Sequence, residues 1–306
     1  MSEPLVWLPF DPELLGDPPS GLRYEVVVPS EGDEPPASID EVVFYVPPYR
    51  FSEADSALVP RMSSLRVVQT MTAGVEHIRP HVPDGVTLCN GRGIHDASTA
   101  ELALTLVLAS LRGIPGFVRA QDAHAWMHGT RPALADSTVL IVGYGAIGEA
   151  IERRLEGFEV DVVRVARSPR DGVHGFGELP ELLPEADVVV LIVPLTRETH
   201  GMVDTGFLAR LRDGALLVNV SRGAVVDTDA LVDALATGRI SAALDVTDPE
   251  PLPADHPLWD SPNLLVSPHV GGASSAMEPR AHRLVREQLV RFAAGEPLAN
   301  VMEGDY

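Results

Sequence analysis

The sequence predicts an α/β protein built from two doubly wound parallel-sheet domains. Two observations carry that expectation. Short apolar runs alternate with helical or turn-rich stretches along the chain. In the middle, the run "VLIVGYGAIGEA" leads through glycines spaced Gly143-x-Gly145-x-x-Gly148 into a helical pattern. At 306 residues the chain is long enough for two domains.

The elements follow in order. Before residue 91 the candidate strands are "LVWLPF", "YEVVVP", "VVFYVPP", "LRVVQTM" and "VTLCN". A helix is expected over residues 98–120, "STAELALTLVLASLRGIPGFVRA", with Ser98 or Thr99 as N-cap. Its apolar residues almost encircle it, which suits a core or a subunit interface. A second series begins at Thr138: the strand "TVLIVG", the helix "AIGEAIERRLEGF" and the strand "VDVVRVA". "ADVVVLIVP", "ALLVNVS", "SAALDV" and "NLLVSPH" read as further buried strands. A last helix over residues 278–294 is expected to pack back on the first domain. The layout is a nucleotide domain, residues 98–273, inserted into an outer domain made of residues 1–97 and 274–306.

Composition narrows the function. The formal net charge of -21 repels phosphate backbones, and no basic patch interrupts it, so nucleic-acid binding is not expected. All 23 cationic side chains are arginine. Without lysine, Schiff-base chemistry and a Walker-type phosphate lysine are excluded. The single cysteine, Cys89, cannot form an intramolecular disulfide and fits a reducing compartment. "MSEPLVWLPFDPELL" has no basic leader and no long apolar run spans a bilayer, so a cytoplasmic protein away from membranes is expected. No metal-ligand spacing stands out.

Each glycine of the central turn has a mechanical job. Gly143 permits the tight turn, Gly145 lets the backbone approach a pyrophosphate, and Gly148 allows close packing of helix on strand. The helix start offers N–H groups to the phosphates. A strand before, a helix after and a second strand at the right distance make this a Rossmann turn, with Tyr144, Ala146 and Ile147 facing the same ligand. An NAD-binding unit usually has an acidic residue at the end of the next strand. Here "VVRVARSPRD" places Arg167 and Ser168 there, with Arg170 close behind. An arginine fork suits a 2′-phosphate, so NADP is the expected cofactor and NAD the alternative. Arg167 on its own also reads as a surface residue of a βα loop.

Downstream, "NVSRGAVVD", "ALDVTDPEP" and "SPHVGG" each follow a predicted strand. They bring Arg222, Asp245, Glu250 and His269 to the carboxyl ends of the sheet, where open α/β sheets bind ligands. Reduction of a 2-keto acid needs a group that grips the carboxylate and polarises the carbonyl, and a proton donor. Arg222 suits the first and His269 the second. Glu250 can pair with His269 and favour imidazolium. Singly, each has an ordinary alternative: a hydrogen-bonded core histidine, or an acid that makes a turn before proline.

Taken together, "LIVGYGAIGEAIERRL", "VVLIVPLTRETHGMV", "LLVNVSRGAVVD", "AALDVTDPEPLPADHPLW" and "NLLVSPHVGG" resemble the D-isomer-specific 2-hydroxyacid dehydrogenases in order and spacing. The resemblance implies a Rossmann domain inserted in a flavodoxin-like substrate domain, a hinge cleft and a homodimer. It implies that Arg222, Glu250 and His269 are the catalytic set, and that Arg222 and His269 also touch substrate. Asp245 matches an acid near the nicotinamide, as do Thr99, Val220 and Ser221. Pro194, Leu195 and Thr196 match a loop along the adenosine side. In "TMTAGVEHI", backbone N–H groups of Ala73 and Gly74 are expected to hold the substrate carboxylate, with Met71 and Thr72 lining the pocket. Glu76 and Arg92 depart from the family pattern, which has Asp or Asn at the first position and often proline at the second. His95 reads equally as a cleft, capping or surface residue. The apolar helix and Trp126 fit the implied dimer contact. Glyoxylate or hydroxypyruvate is the first substrate expected.

Related activities fit less well. Formate dehydrogenases place glutamine where Glu250 stands, and phosphite dehydrogenases use a lysine in the substrate loop, which this chain lacks. The reading from another class is a dinucleotide-sensing binding protein on the same fold without turnover.

Overall fold

The computed structural model describes residues 3–30, 32, 34–50 and 53–303. It divides into two compact units: unit 1 of residues 1–95 and 275–306, and unit 2 of residues 96–274.

The chain opens in unit 1 with β1 (Leu5–Leu8), β2 (Arg23–Val26), β3 (Val42–Tyr45), the short helix α1 (Glu53–Leu58), β4 (Val67–Gln69) and β5 (Thr87–Cys89). Among the described residues these strands make one five-stranded sheet, β2-β1-β3-β4-β5, paired in parallel throughout. This is the flavodoxin-like strand order. β1 and β3 are apolar at consecutive positions because both faces are covered, whereas the edge strand β2 is not. Leu5 and Trp7 enter one core with Tyr45 and Val68, whereas Val6 and Leu8 enter the other with Phe44 and Val67. That is the period of two in the strand, written with apolar residues on both phases.

Unit 2 follows with α2 (Asp96–Leu111), α3 (Ile114–Asp122), β6 (Thr138–Val142), α4 (Ala146–Leu155), β7 (Asp161–Ala166), β8 (His174–Gly175), α5 (Leu179–Leu182), β9 (Val188–Leu191), α6 (Thr205–Arg210), β10 (Leu216–Asn219), α7 (Thr228–Ala236), β11 (Ser241–Leu244) and β12 (Leu264–Val266). Its described strands form a parallel sheet in the order β12-β11-β10-β9-β6-β7-β8. The order reverses at β6, which pairs with β7 on one side and β9 on the other. Such a reversal leaves a crevice beyond the strand ends for a ligand. Val139 and Ile141 face a core shared with α2 and α4, and Leu140 and Val142 face one shared with α6 and α7. The two-residue β8 escaped the strand assignment by sequence, since it has no apolar run of its own.

The helix expected over residues 98–120 is two helices. It begins at Asp96, so Ser98 and Thr99 lie inside its first turn instead of capping it. It stops at Leu111; Gly113, with φ 68°, is the N-cap of α3, and Pro115 lies in that helix's first turn. Glycine supplies the left-handed backbone and proline suits a helix start, so this pair ends one helix and opens another. Ile114 and Val118 on α3 are exposed, and Trp126 just beyond it is 96% exposed. Among the described residues no single helix is long and apolar enough to cross a membrane.

The chain returns to unit 1 as α8 (Met277–Ala294). Ala281, Val285 and Leu289 pack against Val6 and Phe44, and Phe292 meets the Phe44 ring edge-on at 5.3 Å. The segment after α8 then runs antiparallel to β5: Val301 bridges Cys89, and the Met302 N–H donates to the Leu88 carbonyl at 2.8 Å. Burial pushes the Cys89 thiol up to about 11, against a smaller lowering by its hydrogen bond with Gln288.

Candidate functional site

The glycine turn sits between β6 and α4, where the sheet order reverses. Its three glycines serve different ends. A Cβ on Gly143, which has φ 107°, would collide with the Ile192 carbonyl at the exit of β9. A Cβ on Gly148 would collide with the Gly143 carbonyl. Both glycines are therefore demanded by packing within the chain. Gly145 is not: its φ is -104°, and a Cβ there would meet nothing within 4 Å. It is the N-cap of α4 and lends no side-chain cap to the first N–H groups of that helix, at Ala146 and Ile147. The open space over Gly145 beside those N–H groups fits a pyrophosphate.

The side of the turn next to the end of β7 is arginine-rich. Arg167, Ser168 and Arg170 follow β7 and are exposed, and no acid stands at that strand end. Arg170 is held in place: its Nη2 donates to the Tyr144 carbonyl at 2.7 Å, and its guanidinium lies 5.6 Å from the Tyr144 ring. Arg164 lies 5.8 Å from the same ring and forms a two-point ion pair with Glu152. The Tyr144 hydroxyl also donates to Glu152. The Arg164 hydrogen bond holds the Glu152 carboxyl below the usual range, while burial, then the Glu152 contact, raise the Tyr144 phenol. Tyr144 is thus a fixed shelf between two guanidinium groups. Residues 194–196 form a tight turn tied by Thr199, whose hydroxyl donates to the Pro194 carbonyl at 2.6 Å and accepts from the Thr196 N–H at 2.9 Å.

The loops after β10, β11 and β12 are built on two buried side chains. Asn219, at the end of β10, accepts from the Ser221 N–H at 3.0 Å and hydroxyl at 2.6 Å, and donates to the Arg222 carbonyl at 3.0 Å. That closes a turn through Val220, Ser221 and Arg222. The Arg222 guanidinium donates from Nη1 to the Ser221 carbonyl at 2.7 Å. Gly223 presses against the Thr247 carbonyl, so the Arg222 loop touches the one that leads to Glu250.

Asp245, just past β11, organises the loop after β12. Its carboxylate accepts from the Ser267 hydroxyl at 2.6 Å, the Val270 N–H at 2.9 Å and the Gly271 N–H at 2.8 Å. Its own carbonyl accepts from the His269 N–H at 2.7 Å. His269 stands at φ 53°, a left-handed conformation uncommon for a non-glycine residue, and this hydrogen bond helps to hold it there. Its Nδ1 meets the Glu250 carboxylate at 2.5 Å. Thr99 packs beside Gly271 in the same cluster. The structure therefore brings His269, Glu250 and Asp245 together, and places Arg222 on the neighbouring loop.

The residues of "TMTAGVEHI" lie in unit 1, and Ala73 and Gly74 sit in a loop directly after β4. His95 is buried, with Nε2 2.8 Å from the Met71 carbonyl and its ring 5.3 Å from that of Tyr49. It is not a surface residue. Among the described residues no group of histidine, cysteine and acidic side chains is arranged to hold a metal.

A family model for the D-isomer specific 2-hydroxyacid dehydrogenase, NAD binding domain, matches residues 104–271. The human glyoxylate reductase/hydroxypyruvate reductase is 34% identical over 256 residues, 79% of this chain and 78% of that protein. The chain belongs to the D-isomer-specific 2-hydroxyacid dehydrogenases. A glyoxylate reductase of Thermococcus litoralis is 31% identical over 94% of this dehydrogenase and 88% of its own length. Among solved structures, a D-isomer specific 2-hydroxyacid dehydrogenase from Xanthobacter autotrophicus in complex with NADPH and MES has a TM-score of 0.84 and 32% identity, covering 99% of this chain and 98% of that one. The NADPH-dependent glyoxylate/hydroxypyruvate reductase of Sinorhizobium meliloti in complex with NADP and sulfate has a TM-score of 0.80 and 28% identity, covering 98% and 97%.

Asn219 and Thr199 escaped the sequence reading. Both are buried polar residues at strand ends or turns, and only their hydrogen bonds reveal their work.

The glycines make a prediction. Gly145→Ala should change stability by no more than about 1 kcal/mol, the scale of an N-cap change. It should weaken NADPH binding by about tenfold or more, as a methyl group enters the pyrophosphate space. Gly148→Ala should instead lower stability by roughly 1–3 kcal/mol through overpacking. Thermal melts and NADPH titration separate the two; undiminished NADPH binding by Gly145→Ala would show that the open space is not the pyrophosphate cradle.

Proposed function

We propose that this chain reduces a small 2-keto acid, glyoxylate or hydroxypyruvate foremost, to the D-2-hydroxy acid with NADPH. The observation that carries the reading is the 2.5 Å His269–Glu250 pair, held at the strand ends of a dinucleotide-type sheet. Residues 98–273 serve the dinucleotide, and residues 1–97 with 274–306 serve the substrate.

When bound, the reduced nicotinamide supplies a hydride to the carbonyl carbon. The chain supplies the rest. The permanently charged fork of Arg222 grips the carboxylate and draws electron density to the carbonyl oxygen. N–H groups of Ala73 and Gly74 take the carboxylate from their loop. His269, tied to Glu250 through Nδ1, delivers a proton from Nε2 to the developing alkoxide. The Glu250 carboxylate fixes the direction of the ring. Asp245, Thr99, Val220 and Ser221 line the nicotinamide end, while residues 194–196 follow the adenosine. Gly143, Gly145 and Gly148 cradle the phosphates with Tyr144, Ala146 and Ile147. Arg167, Ser168 and Arg170 receive the 2′-phosphate, and the NADP complexes of the similar structures support that preference.

The reading includes a homodimer. Support comes from the exposed Ile114, Val118, Trp126 and Met127 on and after α3, an apolar surface that a second copy would cover. Light scattering should give twice the chain mass, and Trp126→Asp should shift it to the monomer; a monomeric wild type would sink this part. A cytoplasmic location suits the lone buried thiol of Cys89, and cell fractionation checks it.

Two substitutions test the chemistry. Arg222→Lys should bind NADPH nearly as wild type but lose about 100-fold or more in kcat/KM for glyoxylate, since lysine cannot copy a planar fork. Wild-type kcat/KM would remove Arg222 from its role. Arg167→Asp should raise the KM for NADPH by about tenfold or more and spare NADH. A panel of 2-keto acids with either cofactor, followed by nicotinamide absorbance, reads substrate and cofactor together. Equal or better kcat/KM with NADH in the unmodified protein would overturn the cofactor preference.

A further inference from the structure

The loop after β4 is tied down from one side with unusual completeness. Four successive carbonyls, at residues 71–74, each accept a hydrogen bond from within unit 1. The Met71 carbonyl accepts from His95 Nε2 at 2.8 Å. The Thr72 carbonyl accepts from the Thr70 hydroxyl at 2.9 Å and the Gly91 N–H at 2.7 Å. The Ala73 carbonyl accepts from Asn90 Nδ2 at 2.9 Å, and the Gly74 carbonyl from the Thr72 hydroxyl at 2.7 Å. In a planar trans peptide the N–H points opposite the carbonyl it is joined to. Securing the Thr72 and Ala73 carbonyls therefore aims the N–H groups of Ala73 and Gly74 to the other side, as a pair. A carbonyl that accepts a hydrogen bond also makes its own N–H a better donor.

Behind Asn90 stands a chain of buried amides. Gln288 on α8 donates from Nε2 to Gln69 Oε1 at 2.6 Å. Gln69 donates from Nε2 to the Asn90 carbonyl at 3.0 Å and the Thr70 carbonyl at 2.8 Å. Gln288 is itself locked by a two-way exchange with the Ala299 backbone, 2.8 Å in each direction. Both glutamines have 0% exposure. Burying two amides in an apolar sheet core is costly unless every bond is made, and core packing alone would be served by leucine or methionine.

We propose that Gln288, Gln69 and Asn90 form a relay of positioning residues that holds the Ala73–Gly74 peptide so that its N–H, with that of Ala73, grips the carboxylate of the 2-keto acid. The relay rests on the proposed role of residues 73 and 74. It makes carboxylate affinity depend on a side chain of the C-terminal helix, 215 positions along the chain from Ala73 (288 less 73). Nothing in it touches the substrate.

The experiment uses the full chain with Gln288→Met and Asn90→Leu, both uncharged and near in size. For each, kcat and KM are measured with glyoxylate and with its uncharged methyl ester at saturating NADPH, beside the Kd for NADPH and a thermal melt. The expected result is a KM for glyoxylate raised about tenfold in Asn90→Leu and about threefold in Gln288→Met, with kcat within about twofold and NADPH affinity unchanged. The preference for acid over ester should fall with it, which a loss of stability alone does not produce. Either variant decides the matter if the other does not fold at the assay temperature. Wild-type KM and wild-type acid preference in a folded variant would overturn the relay. If the unmodified protein itself shows no preference for the acid over the ester, the carboxylate role of residues 73 and 74 fails instead.

Discussion

The loop that carries His269 depends on the carboxylate of Asp245. It is buried, and a buried carboxylate is tolerable only when donors surround it. Three donors do so, all from residues 267–271, and the fourth bond at this position is the His269 N–H to the Asp245 carbonyl. The loop thus folds around the charge. His269 is carried into a left-handed backbone uncommon for a non-glycine residue, and its ring reaches Glu250 from there. The His269 N–H also donates to the Ser267 carbonyl at 3.1 Å, and Glu250 fixes the direction of the ring.

The same device recurs at other strand ends. Asn219 closes the Arg222 turn, Thr199 closes the turn at residues 194–196, and Asn90 reaches into the loop after β4. In each case a buried polar side chain bonds the backbone of a loop, with a side-chain hydroxyl added at Asn219 and Thr199. Backbone is what must be still if N–H groups, a guanidinium or an imidazole are to meet a substrate in one geometry. Rigid loops on the carboxyl ends of parallel strands are the natural place for this, because the sheet beneath them is dry and close-packed.

Much of this was legible in the sequence. Both sheets could be read because buried parallel strands are written as near-continuous apolar runs, and the glycine turn because its spacing is local. The strand-end stretches carrying Arg222, Glu250 and His269 were legible as motifs. What escaped was either short or non-local. β8 has two residues, too few for a pattern. The break at Gly113 was hidden by apolar residues on both sides of it, although a glycine followed two positions later by proline is a breaker signal. The relay of Gln69 and Gln288 joins positions 219 residues apart, and no window of sequence contains both. The three glycines of the turn already had separate mechanical jobs on paper; the structure adds the space at each, where a Cβ would collide at Gly143 and Gly148 and meet nothing within 4 Å at Gly145.

The division of the chain also sets an order of events at the ribosome. Unit 2 is contiguous, so all of its strands have been made once residue 274 has been added. Unit 1 is interrupted: its sheet face lacks α8, and β5 lacks its antiparallel neighbour, until residues 277–302 follow. Domains generally fold as units during synthesis. The dinucleotide sheet therefore has all its strands before the loop after β4 has Gln288. The apolar face of the first sheet stays open over that interval, which makes it the surface a chaperone would meet.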